Sequence, residues 1–496
     1  MSMGDHSRAL LLGSRATGRT EPDLRRRLEA STVLVTVDRE VDGAVLTARV
    51  LLTTLRRLPI GLMLAPGGLP SSTVDEIAGA VRRIDSRRGL RIGDGLRAPD
   101  GPCSAHVHIG VKPVGPGVIR AVPDGYGAHV ARNAAAVVRT ARSAHPLGSI
   151  YTAAMAAAEV FKDVAEVLEG RRVDHGHLTW CPVALSPDLT VAPMQRERLR
   201  LDLALAGCGA IGTASALILQ ELNAEGDILL IDRQRFAREN LATYSLGDQR
   251  SVRGRPWKVN LVGSHLSRYR VRRLRARVED LPAMVDRGEV RWPHVVLGGL
   301  DSPEARRELQ LLWPDRLIDG GTSDTAVALH DVVAGDGPCL ICFFPPRDED
   351  LTIARLAEMT GLSADRLARG EDVLTAEELE ARTPEQQALL EPMIGRPVCG
   401  LARAIGLVDG DAGGYQPAVP FVAQQAAAHV IGRLLAIRMG MRPAGNFVEY
   451  DALIGPRPDA VDERNAGRHC YCQVKARRIQ RVRESRARGA AAAGSF

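Results

Sequence analysis

One turn in the second half of the chain constrains the fold more than any other feature. The apolar segment Leu201–Ala206 leads into Gly207-Cys-Gly-Ala-Ile-Gly212, and Thr213–Leu222 continues with the pattern of a helix. A strand, a G-x-G-x-x-G turn and a helix place backbone N–H groups and a helix N-terminus where a phosphate can bind. Glycine is needed there because the ligand approaches the backbone more closely than a Cβ atom would allow. The turn therefore predicts a nucleotide site in an α/β domain.

The segment that follows agrees with this prediction but leaves two classes of protein open. Asp227–Ile231 has the composition of a buried strand, and it leads to Asp232, whose carboxylate can accept hydrogen bonds from ribose hydroxyls. A dinucleotide-dependent oxidoreductase has the same features. The glycine motif alone does not separate it from an ATP-binding enzyme.

A series of later motifs favours an ATP-binding enzyme because of the order of these motifs along the chain. The series comprises Asn240-Leu241, Gly254-Arg-Pro-Trp-Lys258, a predicted strand at 294–300 that leads to Asp301 and then Arg306, and Cys339-x-x-Cys342. From about Arg198 to about Cys472 it resembles the ThiF/MoeB/HesA superfamily, to which ubiquitin-activating enzymes belong. Such a series is not required of a dinucleotide oxidoreductase.

The resemblance implies a Rossmann-like α/β adenylation domain that binds ATP and Mg²⁺. In such a domain Lys258 contacts the phosphates, Asp232 holds the ribose and Asp301 organises the metal ion. Lys258 and Asp301 are thus the expected catalytic groups, with Arg306 a weaker candidate. The expected nucleotide-binding residues are Gly207, Gly209, Gly212, Asp232, Asn240, Lys258 and Asp301.

The activity implied is ATP-dependent activation of the C-terminal carboxylate of a ubiquitin-like protein, a sulfur carrier or a peptide. The family pattern Asn-Leu-x-Arg, however, ends here at Thr243, and Gln234 stands where the family has a second acid. Arg250, Arg253 or Arg255 are candidates to replace the missing arginine. The alternative function is a ThiF-like scaffold or leader-peptide-binding partner that does not use ATP.

Eight cysteines in a chain of 496 residues suggest metal ligands or catalytic thiols rather than a disulfide framework. By resemblance, four of them form a structural zinc site, with His469 able to replace one sulfur. The four are Cys339, Cys342, Cys470 and Cys472. Cys399, between Pro397 and Gly400, is either a nucleophile that accepts the activated acyl group as a thioester or a buried core residue.

The first half of the chain alternates strand-like and helix-like segments but has no glycine-rich turn. We expect an α/β domain at 1–192, an ATP-binding domain at 193–473 with a helical insertion at 347–396, and a basic tail at 474–496 that is a solvated helix or disordered. Because activating enzymes pair two such domains, the chain is expected to be a homodimer or an internal pseudo-dimer whose first half is degenerate. His106 and His108, two residues apart on a predicted strand, are expected to hold no metal.

The composition bears on the location and the partners of the protein. The chain has a net charge of +6 and only four lysines, so a lysine at a motif position is more informative than usual. No apolar run approaches the roughly 20 residues of a membrane span, and Leu10–Leu12 is too short for the core of a signal peptide. We expect a cytoplasmic protein with no membrane partner and no nucleic-acid partner.

Overall fold

The architecture was analysed in a computed structural model of the chain. It describes residues 7–93, 101–132, 142–167, 177–345, 353–363, 366–367, 374–395, 398, 419–442, 444–467 and 470–492. The chain forms two compact units. The first comprises residues 1–343 and 417–496, and the second comprises residues 344–416.

The first half of the large unit is built on a seven-stranded sheet. Its strands are Thr32–Val37 (β1), Gly61–Ala65 (β2), Leu90–Ile92 (β3), Ala105–Ile109 (β4), Ile119–Asp124 (β5), Gly127–Ala131 (β6) and His177–Trp180 (β7). Its helices are Ser7–Thr17 (α1), Glu21–Ala30 (α2), Ala44–Leu55 (α3), Ser71–Ile84 (α4) and Pro146–Ala165 (α5). The strand order is β3-β2-β1-β4-β5-β6-β7, parallel from β3 to β5 and antiparallel beyond.

The second half contains an eight-stranded sheet that carries the glycine turn. Its strands are Leu203–Ala206 (β9), Asp227–Ile231 (β11), Arg270–Leu274 (β12), Val295–Gly298 (β13), Arg316–Ser323 (β14), Ala326–Val333 (β15), Phe447–Asp451 (β16) and Val461–Asp462 (β17). Leu199–Arg200 (β8) and Ala224–Glu225 (β10) form a separate short ladder. The order is β12-β11-β9-β13-β14-β15-β16-β17, parallel from β12 to β14 and antiparallel beyond.

Helices connect these strands and flank the sheet. In chain order they are Ala210–Glu221 (α6), Gln249–Gly254 (α7), Lys258–His265 (α8), Leu281–Asp286 (α9), Pro303–Gln310 (α10) and Leu340–Phe343 (α11). The small unit contributes Ile353–Thr360 (α12), Glu377–Glu380 (α13) and Pro384–Leu390 (α14). The last helices are Pro420–Arg438 (α15), Tyr471–Val474 (α16) and Ala476–Ala492 (α17). None of the helices in the described part of the chain is long and apolar enough to cross a membrane.

The two sheets of the large unit share one topology. Strands β1 to β6 occupy the same places in the first sheet as β9, β11, β12, β13, β14 and β15 in the second. A long buried helix follows the antiparallel strand in each half, α5 after β6 and α15 after β15. These helices pack on each other, and the indole N–H of Trp180 lies 3.2 Å from Nε2 of His429 on α15. The halves therefore share one hydrophobic core.

The small unit has its own hydrophobic core, and the predicted insertion at 347–396 lies within its bounds. The buried residues of this core are Leu362, Leu374, Leu379, Leu390, Met393 and Val398. Bidentate pairing of Arg366 with Glu378 and an N-cap at Thr383 support its short helices.

The basic segment at 474–496 forms α17 over most of its length. Arg486 of α17 is buried, and its guanidinium pairs with Asp286 at 2.7 Å. The same guanidinium donates to the carbonyl oxygens of Leu311 and Leu312 at 3.0 and 2.9 Å. These contacts fix the helix against the body of the unit.

Candidate active site

The glycine turn joins the carboxyl end of β9 to α6 at the point where the strand order of the sheet reverses, which is where open α/β sheets bind ligands. Gly207 has a φ of +92°, a conformation that favours glycine. A Cβ atom at Gly212 would lie 2.0 Å from the carbonyl oxygen of Gly207, so this glycine lets α6 pack against the turn. A Cβ at Gly209 would have the Tyr244 hydroxyl, at 3.7 Å, as its nearest neighbour. The space beside Gly209 is therefore open.

Asp232 connects the turn to the neighbouring strand. Its carboxylate accepts hydrogen bonds from the backbone N–H of Cys208 at 2.8 Å and of Gln234 at 2.7 Å. Cys208 itself is fully buried, and burial raises the pKa of its thiol well above the usual range. Cys208 therefore fills space in the turn, while Asp232 holds the turn against β11.

Lys258 begins α8 and is 5% exposed. Its ammonium donates to Oε1 of Gln234 and lies 5.3 Å from the ring centroid of Tyr244. Burial alone would lower the pKa of Lys258, but Tyr244, Asp232 and Asp301 outweigh burial and raise it above its ordinary value. The structure thus brings together three of the residues predicted from the sequence, the buried cation Lys258 and the acids Asp232 and Asp301.

Asp301 is exposed at the end of the loop after β13, directly before the helix cap of α10. Arg306 is buried and stabilises this loop through hydrogen bonds to its backbone. Nε and Nη2 of Arg306 donate to the carbonyl oxygen of Leu300 at 3.2 and 2.8 Å. Nη1 of Arg306 also pairs with Asp319 at 3.0 Å. Arg306 therefore positions the backbone that carries Asp301.

Asp319 on β14 is fully buried and also receives His330 Nδ1 at 3.1 Å. Its other oxygen, Oδ1, has no hydrogen-bond partner among the described residues. A Cβ atom at Gly298 would lie 2.4 Å from that oxygen. Glycine at 298 is therefore what allows a carboxylate to lie beside β13.

Asn240 lies in a 3₁₀ turn, Arg238–Ala242, at the same edge of the sheet. It is buried, and its side-chain oxygen accepts the N–H of Ala237 at 2.8 Å. Thr243, where the family pattern has arginine, is 1% exposed and turns its hydroxyl to the carbonyl oxygen of Asn240 at 3.4 Å. Thr243 thus supports the 3₁₀ turn and does not supply the positive charge of the family arginine.

Arg57 at the end of α3 makes contacts that no sequence motif predicts. It is 3% exposed and donates to the carbonyl oxygens of Leu241, Ser245 and Gly247 at 2.6, 2.9 and 3.1 Å. The loop it holds contains Tyr244. Tyr244 and Arg57 are site residues that sequence reasoning missed, because neither belongs to a motif.

At the corresponding edge of the first sheet, the loop after β2 packs closely on the end of β1. A Cβ atom at Gly67 would lie 1.9 Å from the carbonyl oxygen of Val37. His106 and His108 lie on β4, and both contact the hydroxyl of Thr36, at 3.0 and 2.9 Å.

Three of the four predicted zinc ligands, Cys339, Cys470 and Cys472, lie together between the end of β15 and α16, and Cys342 lies beside Cys339. The sulfur of Cys339 lies 3.7 Å from that of Cys342 and 3.7 Å from that of Cys470. Cys339, Cys470 and Cys472 have their sulfurs within 4.8 Å of one another. Zn–S bonds of about 2.3 Å in a tetrahedron require sulfurs about 3.8 Å apart, so the spacing fits a Zn²⁺ site. Hydrogen bonding from Cys472, with smaller contributions from Cys342 and Cys470, lowers the pKa of Cys339 to about 5 despite burial.

Two residues of the sequence-based predictions cannot be placed. Cys399 and His469 both lie outside the described residues. Their predicted roles stay predictions.

The fold and this arrangement of residues define a nucleotide-binding α/β protein with a glycine turn, a buried lysine and an exposed aspartate at one sheet edge. The sequence profile of the ThiF family matches residues 187–474, more than half of the chain. The chain belongs to the ThiF family. A comparison with curated protein sequences finds no match.

Solved structures show a more distant similarity. MccB from E. coli with MccA-N7isoASN has 13% identity and a TM-score of 0.34 over 55% of this chain and 66% of that chain. MccB from E. coli with AMPCPP and MccA has 11% identity and a TM-score of 0.34 over 71% and 97%. PaaA has 13% identity and a TM-score of 0.29 over 52% and 69%. The chain thus spans just under two thirds of the MccB chain in the first of these comparisons, and membership of the family rests on the sequence profile.

Proposed function

We propose that the protein uses ATP to adenylate the C-terminal carboxylate of a small ubiquitin-like protein, a sulfur carrier or a peptide. The observation that carries this proposal is the buried ammonium of Lys258, placed among Asp232, Asp301 and Tyr244 at the edge of the glycine turn. A buried cation beside a glycine turn that leads into a helix N-terminus suits a polyphosphate. ThiF family membership supports the same function.

In the proposed reaction a carboxylate oxygen attacks the α-phosphorus of ATP, and the bond from that phosphorus to the leaving pyrophosphate breaks. The products are an acyl adenylate and pyrophosphate. Lys258 offsets the repulsion between the two anions, and the turn at Gly207–Gly212 donates backbone N–H groups to the phosphates. Asp232 holds the ribose, and Asn240 lies beside the phosphates. Lys258 and Asp301 are the proposed catalytic groups.

Asp301 is the residue that would hold Mg²⁺, because its carboxylate is exposed at the mouth of the site and an oxygen ligand suits that ion. When bound, Mg²⁺ supplies further neutralisation of the phosphates. The backbone that presents Asp301 is fixed by the hydrogen bonds from Arg306 to Leu300.

A second step is proposed at Cys399. Its thiolate would attack the acyl carbon of the adenylate, forming a thioester and releasing AMP. The proposal rests on the family resemblance and on the setting of Cys399 between Pro397 and Gly400. A reductant-sensitive adduct that forms in the wild type and is absent from Cys399→Ala supports this step, and an adduct that persists in the variant rules it out.

The first half of the chain is proposed to be a degenerate partner domain, so that the chain forms an internal pseudo-dimer. The shared strand order of the two sheets and the packing of α5 on α15 support this assignment. The first half also lacks a G-x-G-x-x-G turn after its first strand, which agrees with a copy that lost its nucleotide site.

The test is calorimetric binding of MgATP and of NAD to the wild type, Lys258→Ala and Lys112→Ala. Lys112 is a matched control, since it follows β4 at the corresponding edge of the first sheet and is 63% exposed. We expect MgATP to bind the wild type and Lys112→Ala alike and to bind Lys258→Ala weakly. NAD binding, or MgATP binding that does not depend on Lys258, contradicts the proposal.

A non-catalytic protein that binds a leader peptide is the second candidate. The observation in its favour is Thr243, which is buried where the family pattern has an arginine. The two candidates differ in one measurable respect. A peptide binder keeps its peptide affinity in Lys258→Ala and Asp301→Ala, whereas an adenylating enzyme loses turnover in both.

A further inference from the structure

A large excess of positive charge lies beside the candidate active site. Residues 233–277 contain thirteen arginines and lysines and only two acids, a net charge of +11, whereas the whole chain carries +6. The remainder of the chain is therefore acidic overall. The segment runs through the two loops that leave the carboxyl ends of β11 and β12, on the same edge as Asp232 and Lys258.

Five arginines of these loops are exposed and form no ion pair among the described residues. They are Arg235, Arg250, Arg253, Arg255 and Arg275, and we call them the arginine rim. Some exposed arginines elsewhere in the chain do have acidic partners, as Arg200 has Asp202 at 2.8 Å and Arg287 has Glu289 at 2.5 Å. A group of unpaired cations at one place creates a positive potential that attracts anions.

Three of the rim residues are organised around Trp257. The guanidinium of Arg235 lies 4.1 Å from the centroid of the Trp257 ring, and that of Arg275 lies 5.0 Å from it. Arg235 also donates to the carbonyl oxygen of Arg255 at 3.1 Å. Cation–π contacts hold a guanidinium in place without using its charge in an ion pair, so the N–H donors remain able to bind a carboxylate.

The rim adjoins the site through the backbone. Trp257 directly precedes Lys258, and Arg235 directly follows Gln234, whose side chain accepts from Lys258. Arg275 follows Leu274, whose carbonyl oxygen accepts the N–H of Asp232 at 3.2 Å. An extended chain entering the site would therefore cross the rim within a few residues of its reacting end.

The acid nearest to the helical part of the rim is engaged elsewhere. Arg250 and Arg253 lie on α7, which is capped by Asp248. The Asp248 carboxylate accepts the N–H of Ser251 at 2.9 Å and its hydroxyl at 3.1 Å. Because this carboxylate serves as a helix cap, the charges of Arg250 and Arg253 are left for a partner.

We propose that the arginine rim binds acidic residues that precede the C-terminal carboxylate of the polypeptide substrate. The inference rests on the proposed function and names its substrate class, an acidic polypeptide tail. Guanidinium groups bind carboxylates through paired N–H donors, and a rim of them both steers the tail and sets its register. The reacting carboxylate then lies next to the glycine turn while the acids upstream of it remain on the rim.

The test measures fluorescence anisotropy of a labelled peptide with a run of glutamates before Gly-Gly and a free C-terminal carboxylate. It is done without ATP, at low salt and at physiological ionic strength. The proteins are the wild type, Arg253→Glu/Arg275→Glu, and the control Arg477→Glu/Arg481→Glu, which makes the same charge change at exposed positions of α17. We expect the rim variant to bind about tenfold more weakly and the control to bind like the wild type, with affinity falling as salt rises.

Several results would overturn the inference. They are no binding of the glutamate peptide to the wild type at low salt, an equal loss in the control variant, and equal binding of a peptide with lysines in place of the glutamates. Single-stranded DNA that binds more tightly than the peptide and depends on the same arginines would assign the rim to nucleic acid instead.

The peptide and MgATP measurements distinguish failure of the acidic-tail proposal from failure of the adenylation proposal. MgATP binding that depends on Lys258, together with no binding of the glutamate peptide, leaves the adenylation proposal in place and removes only the acidic tail. Peptide binding without MgATP binding supports the rim and removes the adenylation proposal.

Discussion

Nη1 of Arg57 donates a hydrogen bond of 2.6 Å to the carbonyl oxygen of Leu241, 184 residues further along the chain. The contact joins the end of α3, in the half without a glycine turn, to the loop that carries Asn240 and Tyr244. Two more carbonyl oxygens of the loop accept from the same guanidinium. Because unpaired buried carbonyl groups are costly, Arg57 stabilises one conformation of this loop.

The first prediction is that Arg57→Met loosens the nucleotide loop. Amide hydrogen exchange in residues 238–254 should become faster, and MgATP affinity should fall about tenfold, because three carbonyl oxygens lose their donor. The measurements are hydrogen exchange by mass spectrometry and calorimetry below the unfolding temperature.

Arg56→Met is the matched control for this prediction. Arg56 is also buried and also donates to three carbonyl oxygens, but these belong to Leu58, Ile60 and Arg88 in its own half. It should lower overall stability without a selective effect on the loop. Equal exchange in the loop for both variants would show that Arg57 contributes only to stability.

The second prediction separates two glycines that the sequence motif treats alike. Gly212→Ala should lower the free energy of unfolding by about 3 kcal/mol, because the new Cβ atom would lie 2.0 Å from the Gly207 carbonyl oxygen. Gly209→Ala should leave stability within about 0.5 kcal/mol, since its Cβ enters open space. It should instead weaken MgATP binding by about tenfold, because that space is where phosphate approaches. Urea denaturation and calorimetry measure both effects, and reversed results would mean that the turn is shaped differently.

The glycine turn and the contacts of Arg57 differ in how far the sequence predicts them. The strand, turn and helix around Gly207–Gly212 follow from local patterns, and so do the strand ends that carry Asp232 and Asp301. The alternation of strand-like and helix-like segments in the first half likewise predicts an α/β domain, and the structure has one there. Local periodicity and turn chemistry are enough for features of this kind.

Other features depend on contacts between distant segments and had no local signal. Arg306 has the pattern of a surface residue early in a helix, and only the buried Asp319 on β14 explains why it turns inward. Arg57 lies in a helix without any motif. The common strand order of the two sheets is set by pairing between segments distant in sequence, so the alternation of strands and helices in the first half indicates an α/β domain but not this order.

The third prediction concerns the cysteine cluster. The wild type, purified without chelator, should contain about one Zn²⁺ per chain, and Cys470→Ser should contain less than half of that. Loss of a structural metal should also lower the midpoint of thermal unfolding. Cys103→Ser is the control, because Cys103 is exposed and belongs to no cysteine pair. Metal analysis and calorimetry provide the data, and a wild type without zinc would contradict the four-sulfur site.

The fourth prediction is that Arg306→Met lowers the free energy of unfolding by about 3–5 kcal/mol, because the fully buried Asp319 loses a charged partner. Arg307→Met, next to it, should cost less than Arg306→Met, since its partner Glu304 is 45% exposed and stays hydrated when the pair is lost. Urea denaturation measures both values.

A second variant keeps this prediction testable if Arg306→Met does not fold. Arg306→Met/Asp319→Leu replaces both charges by apolar groups and should recover much of the lost stability. It should still bind MgATP weakly, because the carbonyl oxygen of Leu300 remains without its donor and the Asp301 loop is not fixed. Full MgATP affinity in the double variant would show that Arg306 does not position Asp301.

The fifth prediction concerns the charge of Lys258. Because its folded-state pKa is raised above the ordinary value of about 10.4, its favourable interactions are present below that pH and are lost only as the pH rises through the higher folded value. The ratio of MgATP affinities between the wild type and Lys258→Gln should therefore stay constant from about pH 7 to about pH 9.5. Calorimetry across this range measures the ratio, with the thermal midpoint of each protein recorded at every pH to confirm that both remain folded. A ratio that falls to one by about pH 9 would mean that burial has the larger effect and that Lys258 loses its proton there. A constant ratio places a permanent cation beside Asp232 and Asp301, which is what the charge of a bound triphosphate requires.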